Sequence, residues 1–232
     1  MSRMLIIGCL AALLAGAAQA QPFIEGTHYH RIDGPSVPIE DRVEVIEAFA
    51  YPCGACNNFE PYMKAWEETL PDYVDVQRLP VPLQQGWELF ALGFYTAQIM
   101  GVDLHDVHGA VFEAIHDQRR PIRSLEDLAE IYAENSDVTV ESFVATAGTF
   151  AVDSAMRKNR SDLTRFGVRS TPTIIVQGKW RITPGSGYTS YEQLLGAIDF
   201  LIAREAAELG LDGSDSDADV EEAAETAEPD TH

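Results

Sequence analysis

Two cysteines three positions apart carry the clearest chemical signal in this sequence. Cys53 and Cys56 enclose Gly54 and Ala55, directly after an apolar segment and at the start of a predicted helix. The free N–H groups and the positive end of a helix dipole stabilise a thiolate at Cys53, which lowers its pKa below the ordinary value of about 8.5. The second sulfur lies one turn further along and is shielded from solvent. The spacing therefore predicts dithiol–disulfide exchange in which Cys53 is the nucleophile and Cys56 resolves the mixed disulfide.

A structural disulfide and a metal site are the alternatives for this pair. A disulfide would close a loop of only four residues and gain little loop-closure entropy. A metal would need two further ligands, for which His105 and His108, at helical spacing, are the obvious candidates. Histidines on a helix are more often solvated than bound to a metal, so we predict redox chemistry with no metal and no cofactor. Because the thiolate exists only in the reduced form, its stabilisation also makes the protein an oxidant of other thiols.

A proline stands directly ahead of a predicted strand in the second half of the chain. Pro172 follows Thr171, and residues 173–177 are rich in β-branched side chains. Proline supplies no N–H to a strand ladder, so the start of a strand suits it. A cis bond would present the backbone of Thr171 beside the sulfurs, where an extended peptide could pair with it. An ordinary trans proline is the alternative, and the general rarity of cis bonds favours it.

A glutamate interrupts the apolar segment that precedes the cysteines. Glu47 lies six residues before Cys53, and a buried carboxylate there would need a partner or would keep its proton. Arg78, on the next predicted strand, could pair with it. Glu47 could instead lie on an exposed face; the functional alternative is proton exchange with Cys56 during the redox cycle.

The elements that must position these residues form two groups of strands around a block of helices. Strands at 43–50 and 73–81 flank a helix at 53–69, which predicts a parallel strand–helix–strand unit. Helical periodicity follows without strands, in predicted helices at 87–100, 107–117, 125–134 and 140–150. A helix at 152–166 follows, then strands at 173–177 and 180–182, and a final helix at 191–209. One α/β domain interrupted by a helical insert explains this order better than two independent domains.

The first twenty residues have the pattern of a secretory signal peptide. One arginine precedes an apolar run over 5–18, and an Ala-Gln-Ala sequence ends at Ala20, which predicts cleavage before Gln21. A membrane anchor is the alternative, but the apolar run is shorter than the roughly 20 residues a spanning helix needs. Cleavage would remove Cys9, at which lipidation is a weaker alternative. Export predicts an oxidising compartment, which we interpret as a periplasm.

Charge excludes one class of partner. The chain has 16 basic and 37 acidic side chains, a net charge of −21, so nucleic acid would be repelled over most of its surface. Residues 205–232 contain acidic side chains but no lysine or arginine, and we predict an acidic tail there that is disordered after about Gly210. Such a tail could be solubilising or could bind a partner.

Two sequence blocks together resemble a known family. The first, from Glu47, reads E-x-F-A-Y-P-C-G-A-C-x-x-F-E-P, and the second, after the helical block, reads G-V-R-S-T-P-T-I-I-V-Q-G-K-W. Residues 25–204 resemble the DsbA family of exported thiol:disulfide oxidoreductases, which have a thioredoxin fold with an inserted helical domain. The resemblance implies that Pro172 is cis, that Cys53 accepts and passes on the disulfide, and that Glu47 occupies the family's buried acidic position. It also implies reoxidation by a quinone-linked membrane oxidase of the DsbB type.

Two positions differ from the most oxidising members of that family. Those members usually have Pro-His between the cysteines, whereas Gly54 and Ala55 offer no imidazole to stabilise the thiolate. Thr171 is also found before the cis proline of exported isomerases of the DsbC type. Those isomerases carry a dimerisation domain ahead of the first strand, and residues 21–42 are too few to form one.

These inferences combine into one expectation for the whole chain. We expect a monomeric periplasmic oxidase that introduces disulfides into reduced, unfolded secreted proteins, with Gly54, Ala55, Thr171 and Pro172 contacting the substrate. The alternatives are a reductase or isomerase of similar fold and a non-catalytic peptide-binding chaperone. The predicted divisions are a signal peptide at 1–20, a first thioredoxin-like half at 21–83, a helical insert at 84–154, a second thioredoxin-like half at 155–204 and an acidic tail at 205–232.

Overall fold

The computed structural model describes residues 23–34, 39–185 and 187–211. Within these ranges the strands are β1 (His30–Arg31), β2 (Val43–Phe49), β3 (Val74–Pro80), β4 (Thr173–Val176) and β5 (Trp180–Ile182). The helices are α1 (Gly54–Glu67), α2 (Glu88–Ile99), α3 (Leu104–His116), α4 (Leu125–Glu134), α5 (Val140–Ala147), α6 (Phe150–Arg165) and α7 (Tyr191–Leu209). None of the helices in the described ranges combines the length and apolar character of a membrane span.

The described strands form one mixed sheet in the order β1-β5-β4-β2-β3. β2 pairs in parallel with β3, which confirms the parallel unit expected from the sequence, and antiparallel with β4. β1 is not predicted by the sequence pattern, because two polar residues carry no apolar alternation. β1 is an edge strand of the sheet, and its His30 pairs antiparallel with Arg181 of β5.

The central strand β2 is buried on both faces. Val43 and Val45 pack into a core shared with α1 and α7. Ile46 and Ala48 point to the opposite face, where they meet Phe166 at the end of α6. Successive residues of a strand alternate between faces, so a strand covered on both sides reads as a continuous apolar run. Glu47, inside this run, is therefore buried, whereas Glu44 near the start of the strand is only partly buried.

The inserted helices have a core of their own that reaches the end of β2. It combines apolar side chains of α2 to α5 with Phe49, Tyr51 and Cys56. The same core includes Val152 and Met156 from the first half of α6. The helical insert therefore packs directly against the segment that carries the cysteines.

Two predicted domain boundaries fall inside helices. The boundary at 154/155 lies within α6, whose later residue Leu163 packs with the sheet core instead of the insert. The tail boundary at residue 205 is wrong, because α7 continues to Leu209 and Glu205 is fully buried. Its carboxylate accepts hydrogen bonds from Lys179 Nζ at 2.5 Å and Trp180 Nε1 at 2.6 Å, which anchor the last turns of the helix. The predicted signal peptide and the tail beyond residue 211 lie outside the described residues.

Candidate active site

The sulfur of Cys53 caps the N-terminus of α1. Cys53 has an extended backbone, with φ −83° and ψ 112°, and the backbone N–H of Cys56 donates to its Sγ at 3.4 Å. The N–H of Cys53 donates to the carbonyl of Ala50 at 3.0 Å, which fixes the turn after β2. A helix begins with N–H groups that lack partners inside the helix, and the sulfur accepts one of them. The strand-to-helix junction expected from the sequence is therefore present, with the sulfur at its tip.

The two cysteines are free thiols with opposite surroundings. Cys53 is half-buried, and its pKa is lowered to about 5 by hydrogen bonding from the Cys56 thiol, against the effect of burial. Hydrogen bonds from the Thr171 side chain and from the backbone N–H groups of Ala55 and Cys56 lower it further. Cys56 is fully buried, and its hydrogen bond to Cys53 together with burial raises its pKa. One sulfur of the pair is thus held as a thiolate and the other as a thiol.

The loop before β4 lies against the sulfur of Cys53. The Thr171–Pro172 bond is cis, as the family resemblance implied. The carbonyl oxygen of Thr171 lies 3.6 Å from Cys53 Sγ, although 118 residues separate the two in the chain. The pairing of β4 with β2 brings this loop to the end of β2 where the cysteines begin.

Glu47 is buried next to Arg78. The side chain is 1% exposed, so the exposed alternative is wrong, and Arg78 Nε lies 2.9 Å from Glu47 Oε2. The two residues are direct partners in the register of β2 and β3, and Arg78 also bonds Glu67 of α1. Burial raises the pKa of Glu47 to about 7 despite the guanidinium, and the negative charge of Cys53 contributes to the increase. The carboxyl can therefore take up or release a proton near neutral pH.

Two histidines of α3 contact the turn that precedes the cysteines. His108 is buried, contrary to the expectation of a solvated helix residue, and its Nδ1 lies 3.0 Å from the hydroxyl of Tyr51. His116 Nε2 lies 2.8 Å from the backbone carbonyl of Tyr51. Sequence reasoning missed both contacts. The available signal was helical spacing, since His108 precedes Phe112 by four positions and shares its apolar face.

The alternative of a metal site built on the cysteines is not formed by the described residues. Among those residues, the potential ligand atoms that converge belong to Glu47, Glu60 and His108, and neither cysteine is in this group. His108 Nε2 lies 3.4 Å from Glu60 Oε2 in it.

Comparison with known proteins agrees with this geometry. The model of the DSBA-like thioredoxin domain family matches residues 83–199. The thiol:disulfide interchange protein DsbA of Pseudomonas aeruginosa is 36% identical over 200 residues, which cover 85% of this chain and 93% of that protein. The protein of the same name from Pseudomonas syringae pv. tomato is 35% identical, with 85% and 92% covered.

Solved structures give the same result. The crystal structure of Pseudomonas aeruginosa DsbA matches with a TM-score of 0.72 and 34% identity, covering 80% of this chain and 96% of that chain. The oxidoreductase DsbA from Xylella fastidiosa matches with a TM-score of 0.71 and 30% identity, covering 80% and 98%. The chain therefore belongs to the DSBA-like thioredoxin domain family and is a thiol:disulfide oxidoreductase with a thioredoxin fold and an inserted helical domain.

Proposed function

We propose that this protein oxidises pairs of thiols in exported proteins, and that Cys53 and Cys56 carry the disulfide it transfers. The observation that carries this proposal is the capping of α1 by Cys53 Sγ, which lowers the thiol pKa to about 5. A thiol with a low pKa is a good leaving group, and its thiolate stabilises the reduced enzyme relative to the disulfide. Both effects favour donation of the disulfide over its retention.

The reaction begins with the oxidised enzyme and a reduced substrate protein. A substrate thiolate attacks Cys53 Sγ, the bond to Cys56 breaks, and the Cys56 sulfur leaves with the electron pair and takes up a proton. The resulting mixed disulfide joins the substrate to Cys53. A second substrate thiolate attacks the substrate sulfur of this bond, and Cys53 leaves as a thiolate. The substrate is then oxidised by two electrons, and the enzyme is the dithiol whose contacts are described above.

Glu47 is proposed as the group that exchanges a proton with Cys56. Its pKa of about 7 allows both protonation states at neutral pH. Its charge also raises the pKa of Cys56, so the two groups lie within electrostatic reach of each other. Cys56 is fully buried and cannot exchange its proton with bulk water directly. A carboxyl beside Arg78 would supply the proton when Cys56 leaves and remove it when the disulfide reforms.

The substrate is proposed to bind along the exposed tip of α1 and the loop before β4. Gly54 and Ala55 are exposed beside Cys53, so an approaching chain meets small side chains only. The carbonyl of Thr171, 3.6 Å from Cys53 Sγ, lies where the backbone of an extended segment would pass. Pro172 holds this loop ahead of β4 without supplying a donor of its own. Backbone pairing of this kind accepts many sequences, which suits a general oxidase.

The cellular setting follows from the same proposal. The signal-peptide pattern of residues 1–20 supports a periplasmic location, and the substrates would be reduced, unfolded secreted proteins. A quinone-linked membrane oxidase of the DsbB type would restore the disulfide, and the protein would act as a monomer.

Redox titration against glutathione tests the direction of transfer. We expect a reduction potential well above the value of about −270 mV typical of thioredoxin. A potential near that of thioredoxin would identify a reductase instead. Cys56→Ala cannot form the internal disulfide, but its Cys53 thiolate can attack a disulfide of a secreted protein and displace one of that protein's sulfurs as a thiolate. The resulting mixed disulfide should accumulate, because Cys56 is not present to attack it. Cys53→Ser should abolish both trapping and activity; full activity of Cys53→Ser in cells would overturn the proposal in favour of a peptide-binding chaperone.

A further inference from the structure

A buried polar cluster beneath the cysteines has features that disulfide exchange does not require. It contains Glu47 of β2, Glu60 of α1 and His108 of α3, and one potential ligand atom from each lies within 4.8 Å of the other two. We propose that these three residues form a binding site for one divalent transition-metal ion of the zinc class. This inference goes beyond the proposed oxidase activity. Glu47 belongs to both proposals, so the ligand variants in the test change only Glu60 and His108.

Hydrogen bonding within the cluster is incomplete. The buried atoms without a hydrogen-bond partner include Oε2 of Glu47, Oε2 of Glu60 and Nε2 of His108, so each of the three residues has one such atom. The exposed fractions of these side chains are 1%, 14% and 5%. A buried polar atom that lacks a hydrogen-bond partner is destabilising, and more so when it is charged. Ionic contacts are present, from Arg78 Nε to Glu47 Oε2 at 2.9 Å and from His108 Nε2 to Glu60 Oε2 at 3.4 Å. The hydrogen-bonding capacity left open in three converging residues still indicates a position for an additional group.

The charge of the cluster indicates that this group is a cation. Glu47, Glu60 and Glu67 carry three negative charges when ionised, and Arg78 supplies one positive charge. Arg78 bonds Glu67, whereas its Nε lies 2.9 Å from Glu47 Oε2 without forming a hydrogen bond. When all three carboxylates are ionised, they exceed the positive charge of Arg78 by two, and a divalent cation would compensate this excess.

The orientation of His108 fits a metal ligand. Its Nδ1 lies 3.0 Å from the Tyr51 hydroxyl, which leaves Nε2 directed toward Glu60. Histidines that bind metals usually donate the N–H of their second ring nitrogen to a fixed partner, which sets the tautomer and the ring orientation. The rings of Phe49 and Phe112 pack edge-on against the imidazole and hold its plane.

Access and donor chemistry favour zinc over other common ions. A cleft of about 430 Å³ reaches the cluster and is lined in part by Glu60, Arg78 and His108. It can supply water as a further ligand. Two carboxylates and one imidazole suit Zn²⁺, which accepts three protein ligands and a water in a tetrahedral site. Ca²⁺ and Mg²⁺ prefer sets made only of oxygen, and Cu⁺ prefers sulfur.

Zinc titration of the oxidised full-length protein tests the site. The Cys53–Cys56 disulfide prevents the two thiols from binding the metal themselves. Calorimetry should show one Zn²⁺ per chain, and Co²⁺ should give the visible absorption of a tetrahedral complex. His108→Gln and Glu60→Gln should each weaken binding at least about 100-fold, since loss of a partner outside the ligand shell alone costs 10–100-fold. Tyr51→Phe, which keeps all three ligands, should weaken it about tenfold.

His30→Gln is the matched control, because β1 is the edge strand farthest from β3 in the sheet. This variant should bind Zn²⁺ like the parent. Circular dichroism verifies that each variant is folded; if His108→Gln does not fold, Glu60→Gln, whose side chain is the most exposed of the three, decides the test. Failure of the oxidised parent to bind Zn²⁺ would overturn the proposal. Equal Zn²⁺ affinity of the parent, His108→Gln and Glu60→Gln would overturn it too. The same holds if His30→Gln loses as much Zn²⁺ affinity as the two ligand variants.

Discussion

The stability of the reduced protein relative to the oxidised protein should depend on pH through Cys53. The perturbation is the redox state, so the sequence is the same on both sides of the comparison. The pKa of Cys53 is about 5 in the folded dithiol, against about 8.5 for an unfolded thiol. A depressed pKa contributes stability that is fully present above the unfolded pKa. This contribution shrinks as pH falls below the unfolded pKa and is lost once pH passes the folded one.

Two contributions of similar size determine the difference in free energy of unfolding between the reduced and the oxidised protein at neutral pH. At pH 7, about two units above the folded pKa and below the unfolded one, the shift contributes about 2.7 kcal/mol in favour of the reduced fold. Cys53 is only half-buried, and solvent screening reduces this contribution to about 2 kcal/mol. A disulfide across a four-residue loop favours the oxidised fold by about 1.9 kcal/mol in the chain-entropy model. The two forms should therefore have nearly equal free energies of unfolding near pH 7. As pH rises from about 6 to 8, the free energy of unfolding of the reduced form should increase relative to that of the oxidised form by about 1.4 kcal/mol per pH unit.

Denaturant unfolding of both redox forms, followed by circular dichroism at three pH values across this range, measures the difference. Glu47 also titrates in this range, so the comparison is repeated in Glu47→Gln protein, where that contribution is absent from both redox forms. Cys53→Ala lacks both the thiolate and the disulfide, so its stability should follow the pH dependence of the oxidised protein. A difference between reduced and oxidised protein that stays constant with pH would refute the assignment of a thiolate to Cys53. A change in the opposite direction would refute it equally.

Three further substitutions probe other parts of the structure. Cys56→Ala removes the thiol that contributes most to the low pKa of Cys53 but keeps the backbone donors, so ultraviolet titration should show a rise of at least about one unit to a value still below 8.5. Glu47→Gln should slow exchange at neutral pH with little change in reduction potential; unchanged stopped-flow kinetics would exclude its role in proton transfer. Gly93→Ala would place a Cβ 2.4 Å from a buried leucine of α4 and should lower the free energy of unfolding by about 1–3 kcal/mol. Gly109→Ala, with open space at its Cβ, is the control and should not destabilise the protein.

The sequence alone predicted correctly those features that depend on interactions between residues close together in the chain. The bounds of α4 and α7 are those predicted, because capping serines and apolar spacing act within a few residues. The placement of Cys53 at a helix start also follows from neighbouring residues. The low pKa expected from that placement is found as well, although the hydrogen bond from Cys56 contributes more than any other interaction.

Contacts between distant segments could not be derived from local patterns. The cis bond before Pro172 was expected only through family resemblance, since general frequencies favour trans. The burial of His108 depends on how α3 packs against the end of β2, and the helical pattern alone suggested a solvated residue. Glu205 was placed in the last predicted helix but counted with the solvated acidic tail, yet it is buried against Lys179 and Trp180.

The sequence by itself determined the chemistry of this protein, because a CxxC pair at a strand-to-helix junction places one sulfur on the first N–H groups of a helix. Only the tertiary structure decided what surrounds that sulfur. Thr171 comes from 118 residues away, and Arg78 reaches Glu47 through pairing of β2 with β3. These neighbours depend on sheet register and on helix packing, which arise from many weak contacts between segments far apart in the chain.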